Sequence, residues 1–209
     1  MASTPLDLYY WPSPNGWKIT IFLEEVGAAY NVHFINIGAG DQLTPQNLEI
    51  SPNNKIPALV DQEGPGGKPI SIFESGAILM YLGRKFGKFY PEEARERVEV
   101  EKWLIWQMAG FGPMSGQANH FLKYAPEKIP YAIKRYMDEM HRLYRVLNTQ
   151  LADKEYVCGG YSIADMAIVS WAVIYERSDI TFAEFPHFGR WLTQLQARPD
   201  VEATTLASR

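Results

Sequence analysis

The chain has 209 residues, 46% hydrophobic and 21% charged, with 20 basic against 24 acidic side chains. This is ordinary globular composition, enough chain for one large domain or two small ones. A formal charge of −4, with no Lys/Arg run, argues against nucleic acid or an anionic membrane as a partner.

Leu6 to Trp11 is a short aromatic-rich run stopped by Pro12 and Pro14, which predicts a strand ended by a turn. After Asn15-Gly16, Ile19, Phe22, Leu23 and Val26 fall at helical spacing, and Gly27 supplies a stop. Asn31 to Ile37 alternates as a second strand. Strand, helix, strand is the unit of a right-handed parallel crossover. A glycine loop follows, then a weak helical segment from Thr44 to Ile50. Strands are predicted over Ile56–Asp61 and Pro69–Phe73, joined by the hairpin loop Gln62–Lys68. A helix over Glu74–Phe86 closes the run.

From Glu92 the strand signals fade. Residues 92–109 read as helix, with Gly110, Gly112, Pro113 and Gly116 breaking the pattern. Lys128–Leu151 is a long amphipathic helix, Ser162–Arg177 an apolar one, and Phe185–Ala197 a last one stopped at Arg198-Pro199. The shift in composition near Gly87–Pro91 predicts two domains, residues 1–86 and 93–209.

The single cysteine, Cys158, forms no intrachain disulfide and suits a reducing compartment. The start of the chain has no secretory pattern, and no apolar run reaches membrane-spanning length. A cytoplasmic protein is expected. His33, His120, His141 and His187 lack metal-ligand spacing, so no metal is expected.

Three constellations carry possible chemistry. In Trp11-Pro12-Ser13-Pro14-Asn15-Gly16, at the start of the first helix, unpaired N–H groups and a partial positive charge favour a thiolate or carboxylate. Ser13 adds a hydroxyl and Asn15 an amide. The plainer reading makes Asn15 an N-cap and Ser13 a turn residue. In Asn54-Lys55-Ile56-Pro57, a cis proline would leave the Ile56 backbone open to an extended peptide, although trans is the ordinary state. In Phe73-Glu74-Ser75-Gly76, a carboxylate, a hydroxyl and a helix start suit the ammonium and carboxylate of an amino acid; an acidic first turn is the plainer reading. Ser162-Ile163-Ala164-Asp165 reads as a structural capping box. Cys158 reads as a small, half-buried residue.

The order of these segments, Ser13-Pro14-Asn15-Gly16, Gly40-Asp41-Gln42, Ser51 to Pro57 and Phe73 to Ile78, resembles the cytosolic glutathione transferases. Gly112-Pro113-Met114, Ile129-Pro130-Tyr131, Arg135-Tyr136 and Tyr161 to Asp165 extend the likeness over nearly the whole chain. It resembles most the bacterial nu-class and fungal nitrogen-regulator-like branch, whose members reduce disulfides with glutathione. The resemblance implies a thioredoxin-like α/β domain of β-α-β-β-β-α order with a short extra helix, and an all-helical second domain. It implies that Pro57 is cis and that Ile56 pairs its backbone with the cysteinyl unit of glutathione. Glu74 and Ser75 would hold the γ-glutamyl end, and Lys55 and Gln42 would lie near the glycyl end. Asn15 would donate to the sulfur with Ser13 close by, and Tyr9 or Tyr10 is the alternative activator. Arg135 would meet a second glutathione or the far end of a disulfide, and a homodimer is implied.

The expected reaction is glutathione-dependent reduction of a small disulfide. The alternatives are conjugation of electrophiles or reduction of organic hydroperoxides, and a non-enzymatic glutathione-binding regulator. Asn15 cannot attack sulfur or carry a proton away, so the thiolate must be that of glutathione.

Overall fold

Leu6 and Leu8 point from the first strand, β1 (Leu6–Tyr10), into a largely apolar interior, while Asp7 and Tyr9 face the other way. That alternation is what a strand with one covered face requires. The computed structural model describes residues 5–206. By contacts the chain divides into two units, one running to Lys88 and taking in the chain from Ala203, the other Phe89–Glu202.

In the first unit the order is β1, α1 (Pro14–Glu25), β2 (Tyr30–Phe34), a short 3-10 turn, α2 (Pro45–Ile50), β3 (Ala58–Asp61), β4 (Ile70–Phe73) and α3 (Ser75–Phe86). The strands form one sheet in the order β2-β1-β3-β4. β1 and β2 are parallel, and the other two pairings are antiparallel. This is a thioredoxin-like domain. α1 and α3 pack together and bury Ile19, Ile21, Phe22, Leu23, Ile78, Leu79 and Leu82 completely. Each such side chain contributes about 1.5–3 kcal/mol. β2 ends at Phe34 rather than Ile37, because Asn36 turns the chain: its Oδ1 accepts from the N–H groups of Gly38 and Ala39 at 3.0 and 3.1 Å.

The second unit is helical: α4 (Ala94–Trp106), α5 (Gly112–Asn119), α6 (Pro130–Gln150), α7 (Ile163–Ala172), α8 (Pro186–Gln196) and α9 (Pro199–Leu206, whose last residues count with the first unit). The break expected at Gly110–Gly116 does not occur. Two wide π-turns, Gln107–Phe111 and His120–Tyr124, carry the helical path on either side of α5. The glycines serve packing instead. A Cβ on Gly112 would stand 2.7 Å from Gln107 Nε2 and 3.4 Å from Trp171 Nε1. Pro199, read as a stop, also opens α9, since proline at a first helical position gives up an N–H that has no helical partner. α7 ends at Ala172, earlier than the apolar run, and a 3-10 turn over Tyr175–Ser178 follows.

Asp165 organises this unit. Its Oδ1 accepts from Val157 N–H at 3.0 Å and from Trp191 Nε1 at 2.9 Å, and its Oδ2 accepts from the Ser162 N–H at 3.1 Å. The capping box read from the sequence is therefore present. Burial pushes the carboxyl up to about 6 against these bonds, which favour the anion. Among the described residues no helix is long and apolar enough to cross a membrane.

Candidate active site

Pro14 opens α1, and the residue before a proline is driven into extended backbone, where an N-cap must sit. Ser13 takes that place, and its Oγ accepts from the Gly16 N–H at 3.3 Å. The cap is thus Ser13, and Asn15, one of the first residues inside the helix, is released from that task. Gly16 permits the geometry: a Cβ there would come within 2.6 Å of both Trp11 O and the Tyr10 ring.

Asn15 lines a cavity of about 240 Å³ together with Ser51, Lys55, Ile56, Pro57, Phe73, Glu74 and Ser75. Five of the residues singled out in the sequence, Asn15, Lys55, Ile56, Glu74 and Ser75, therefore share one cavity. The Ile56–Pro57 bond is cis. Ile56 stands just before the β3 register, which begins at Ala58. The buried Ser51 donates from Oγ to the Lys55 carbonyl at 2.9 Å and fixes the preceding loop.

Glu74 sits between β4 and α3 at φ 71°. Left-handed backbone costs a residue with a side chain about 1–3 kcal/mol and persists only where the surroundings enforce it. Here Asn53 Nδ2 donates to Glu74 Oε1 at 3.2 Å. Ser75 is buried at the start of α3, where backbone N–H groups without helical partners favour an anion. The pocket lining thus brings together a carboxylate, a hydroxyl at the α3 N-terminus and the Asn15 amide at the α1 N-terminus.

Ser13 and Gln42 do not line this cavity. Gln42 lies in the 3-10 turn Asp41–Leu43, and its Nε2 donates to the Ile37 carbonyl at 3.4 Å. Arg135 belongs to α6 of the second unit. It lines a groove of that unit with Tyr131, Lys134, Asp138, Glu139 and Arg142. Tyr9 and Tyr10 do not line the cavity either, and burial pushes both phenols above their ordinary range, away from the form that takes up a proton.

Sequence reasoning passed over Lys18. It lies within the buried run of α1, is 2% exposed, and donates from Nζ to Ser75 Oγ at 3.2 Å. Burial brings its ammonium down to about 7, while the Glu74 carboxylate opposes that fall. The signal was available: a lysine inside an otherwise apolar helical run is almost never fully buried without a partner.

The chain has one cysteine, Cys158; it lies outside this unit, and burial pushes its thiol up to about 12. The pocket has no sulfur of its own. Among the described residues no cluster of three or more His, Cys, Asp and Glu can hold a metal ion.

The glutathione S-transferase N-terminal domain model matches residues 4–84, and the C-terminal domain model matches residues 110–199. The chain belongs to the glutathione S-transferase family. It is 48% identical over 196 residues to the disulfide-bond oxidoreductase YfcG of Escherichia coli, covering 93% of this chain and 91% of that protein. It is 41% identical over 219 residues to the disulfide-bond oxidoreductase YghU of the same organism, covering 98% and 75%. A glutathione transferase family member from Pseudomonas fluorescens, solved with two glutathiones bound, superposes with a TM-score of 0.92 at 41% identity, over 96% of this chain and 92% of that one. A Pseudomonas putida glutathione transferase, solved with one glutathione disulfide per subunit, gives 0.91 at 39% identity, covering 96% and 90%.

Proposed function

We propose that the protein is a glutathione-dependent disulfide-bond reductase in which glutathione itself supplies the nucleophile. The observation that carries this reading is a peptide-sized polar pocket at a helix N-terminus in a unit that has no cysteine. The names of the two Escherichia coli relatives support it.

Glu74 pairs with the γ-glutamyl ammonium, and Ser75 with the α3 N-terminus takes the α-carboxylate. The Ile56 backbone holds the cysteinyl unit as a short strand, and Lys55, with Gln42 on its flank, meets the glycyl carboxylate. Asn15 donates to the sulfur, and Ser13 maintains the helix start that presents it. A free thiol has a pKa of about 8.5; a helix terminus and a hydrogen bond lower it by about one to two units. The thiolate attacks one sulfur of a substrate disulfide, forming a mixed disulfide and expelling the other half as a thiolate that takes up a proton. A second glutathione thiolate attacks the mixed disulfide, giving glutathione disulfide and the second reduced thiol. We assign Arg135 to the second glutathione and the active form to a homodimer. The two glutathiones held by the Pseudomonas fluorescens relative support the first assignment. A reducing cytoplasm, which regenerates glutathione, suits this chemistry.

The test is turnover of a small symmetrical disulfide coupled to glutathione reductase, run beside an aryl-halide conjugation assay. Disulfide turnover exceeding conjugation is expected. Conjugation alone would make the protein an electrophile transferase, and silence in both with retained glutathione binding would make it a binding protein.

A further inference from the structure

The buried ammonium of Lys18 touches Ser75, one of the two lining residues assigned to an amino-acid zwitterion. Its Nζ donates to Ser75 Oγ at 3.2 Å, and its side chain is 2% exposed. Ser75 and Glu74 both line the cavity, whereas Lys18 does not. Burying an ammonium is costly, and a methionine or leucine would serve packing at this place in α1 without that cost.

We infer that Lys18 is a positioning residue that makes the pocket select the α-carboxylate of the γ-glutamyl unit. This rests on the glutathione reading above. Glu74 alone would attract the ligand's ammonium and repel its carboxylate. A cation behind Ser75 offsets that repulsion on the carboxylate side, so the pocket presents a dipole matched to a zwitterion. A hydroxyl that accepts from an ammonium is also a stronger donor through its own hydrogen, which is the hydrogen a carboxylate needs. The charged groups of the site are Glu74, from the β4–α3 junction, whose field acts on Lys18, and Lys55, which lines the same cavity from the loop before β3.

The experiment measures Kd by calorimetry for S-methylglutathione and for its analogue lacking the γ-glutamyl α-carboxylate. Both lack a free thiol, so sulfur titration is removed. Wild type should prefer S-methylglutathione, and Lys18→Met should reduce that preference about tenfold while leaving the analogue's affinity unchanged. In wild type the preference should fall between about pH 6 and about pH 8.5 as the ammonium discharges, and in Lys18→Met it should stay flat. Equal weakening of both ligands in the variant would make Lys18 merely structural and overturn the inference. Should the variant not fold, a pH-independent preference in wild type overturns it instead. Failure of wild type to bind S-methylglutathione at all would overturn the glutathione reading together with this one.

Discussion

Replacing Lys18 by methionine removes a buried charge while keeping the shape of the side chain, and its effect on stability must depend on pH in a calculable way. In the native protein burial brings the ammonium from an ordinary 10.5 down to about 7. Below pH 7 both native and unfolded chains hold the proton, and the cost of burial is present in full. Between 7 and 10.5 the native lysine is neutral while the unfolded one is charged. The unfolded state then binds more protons, so stability rises with pH. A difference of about 3.5 units at about 1.4 kcal/mol each gives a rise of about 5 kcal/mol. The Lys18→Met protein lacks that rise. Urea unfolding of both proteins from about pH 6 to about pH 10 should therefore show the variant's stability advantage shrinking by several kcal/mol over that range. A difference between the two proteins that stays constant across the range would refute the buried-ammonium argument.

Asp165→Ala leaves the Val157 and Ser162 N–H groups and Trp191 Nε1 without an acceptor, and should cost at least about 3 kcal/mol in urea unfolding. Ser13→Ala removes the cap of α1 and should cost about 1 kcal/mol, with Ser13→Thr restoring most of it. Gly16→Ala forces a Cβ to within 2.6 Å of Trp11 O and the Tyr10 ring, and should cost about 1–3 kcal/mol in stability while also weakening glutathione affinity. Alkylation of Cys158 should be slow at neutral pH, and Cys158→Ala should leave disulfide turnover intact, because its thiol is pushed up to about 12.

The β-α-β start and the β3–β4 hairpin could be read from the sequence because their signals are local: alternation in β1, helical spacing after Asn15, and a glycine-rich loop between two short apolar runs. The Gly110–Gly116 stretch could not, since a glycine that lets Trp171 approach is indistinguishable in sequence from one that breaks a helix. Pro199 is ambiguous for the same reason, as proline both ends and begins helices. In the pocket, the polar residues next to turns announced themselves. The contacts that hold them did not, because Asn53 meets Glu74 and Lys18 meets Ser75 only after the sheet has brought distant segments together. Ser13 and Asn15 exchanged the capping role for a local reason: Pro14 fixes the helix start two residues earlier than the amide of Asn15 suggested.

The central claim is that the protein brings no nucleophile and works by stabilising the thiolate of bound glutathione at the α1 N-terminus. The ultraviolet absorbance of that thiolate, titrated in the glutathione complexes of wild type and Asn15→Ala, tests it most directly. The account predicts a bound thiol about one to two units below the free value of about 8.5, returned most of the way by Asn15→Ala with a parallel loss of disulfide turnover. A bound thiol titrating like free glutathione in wild type, or identically in the two proteins, would contradict it.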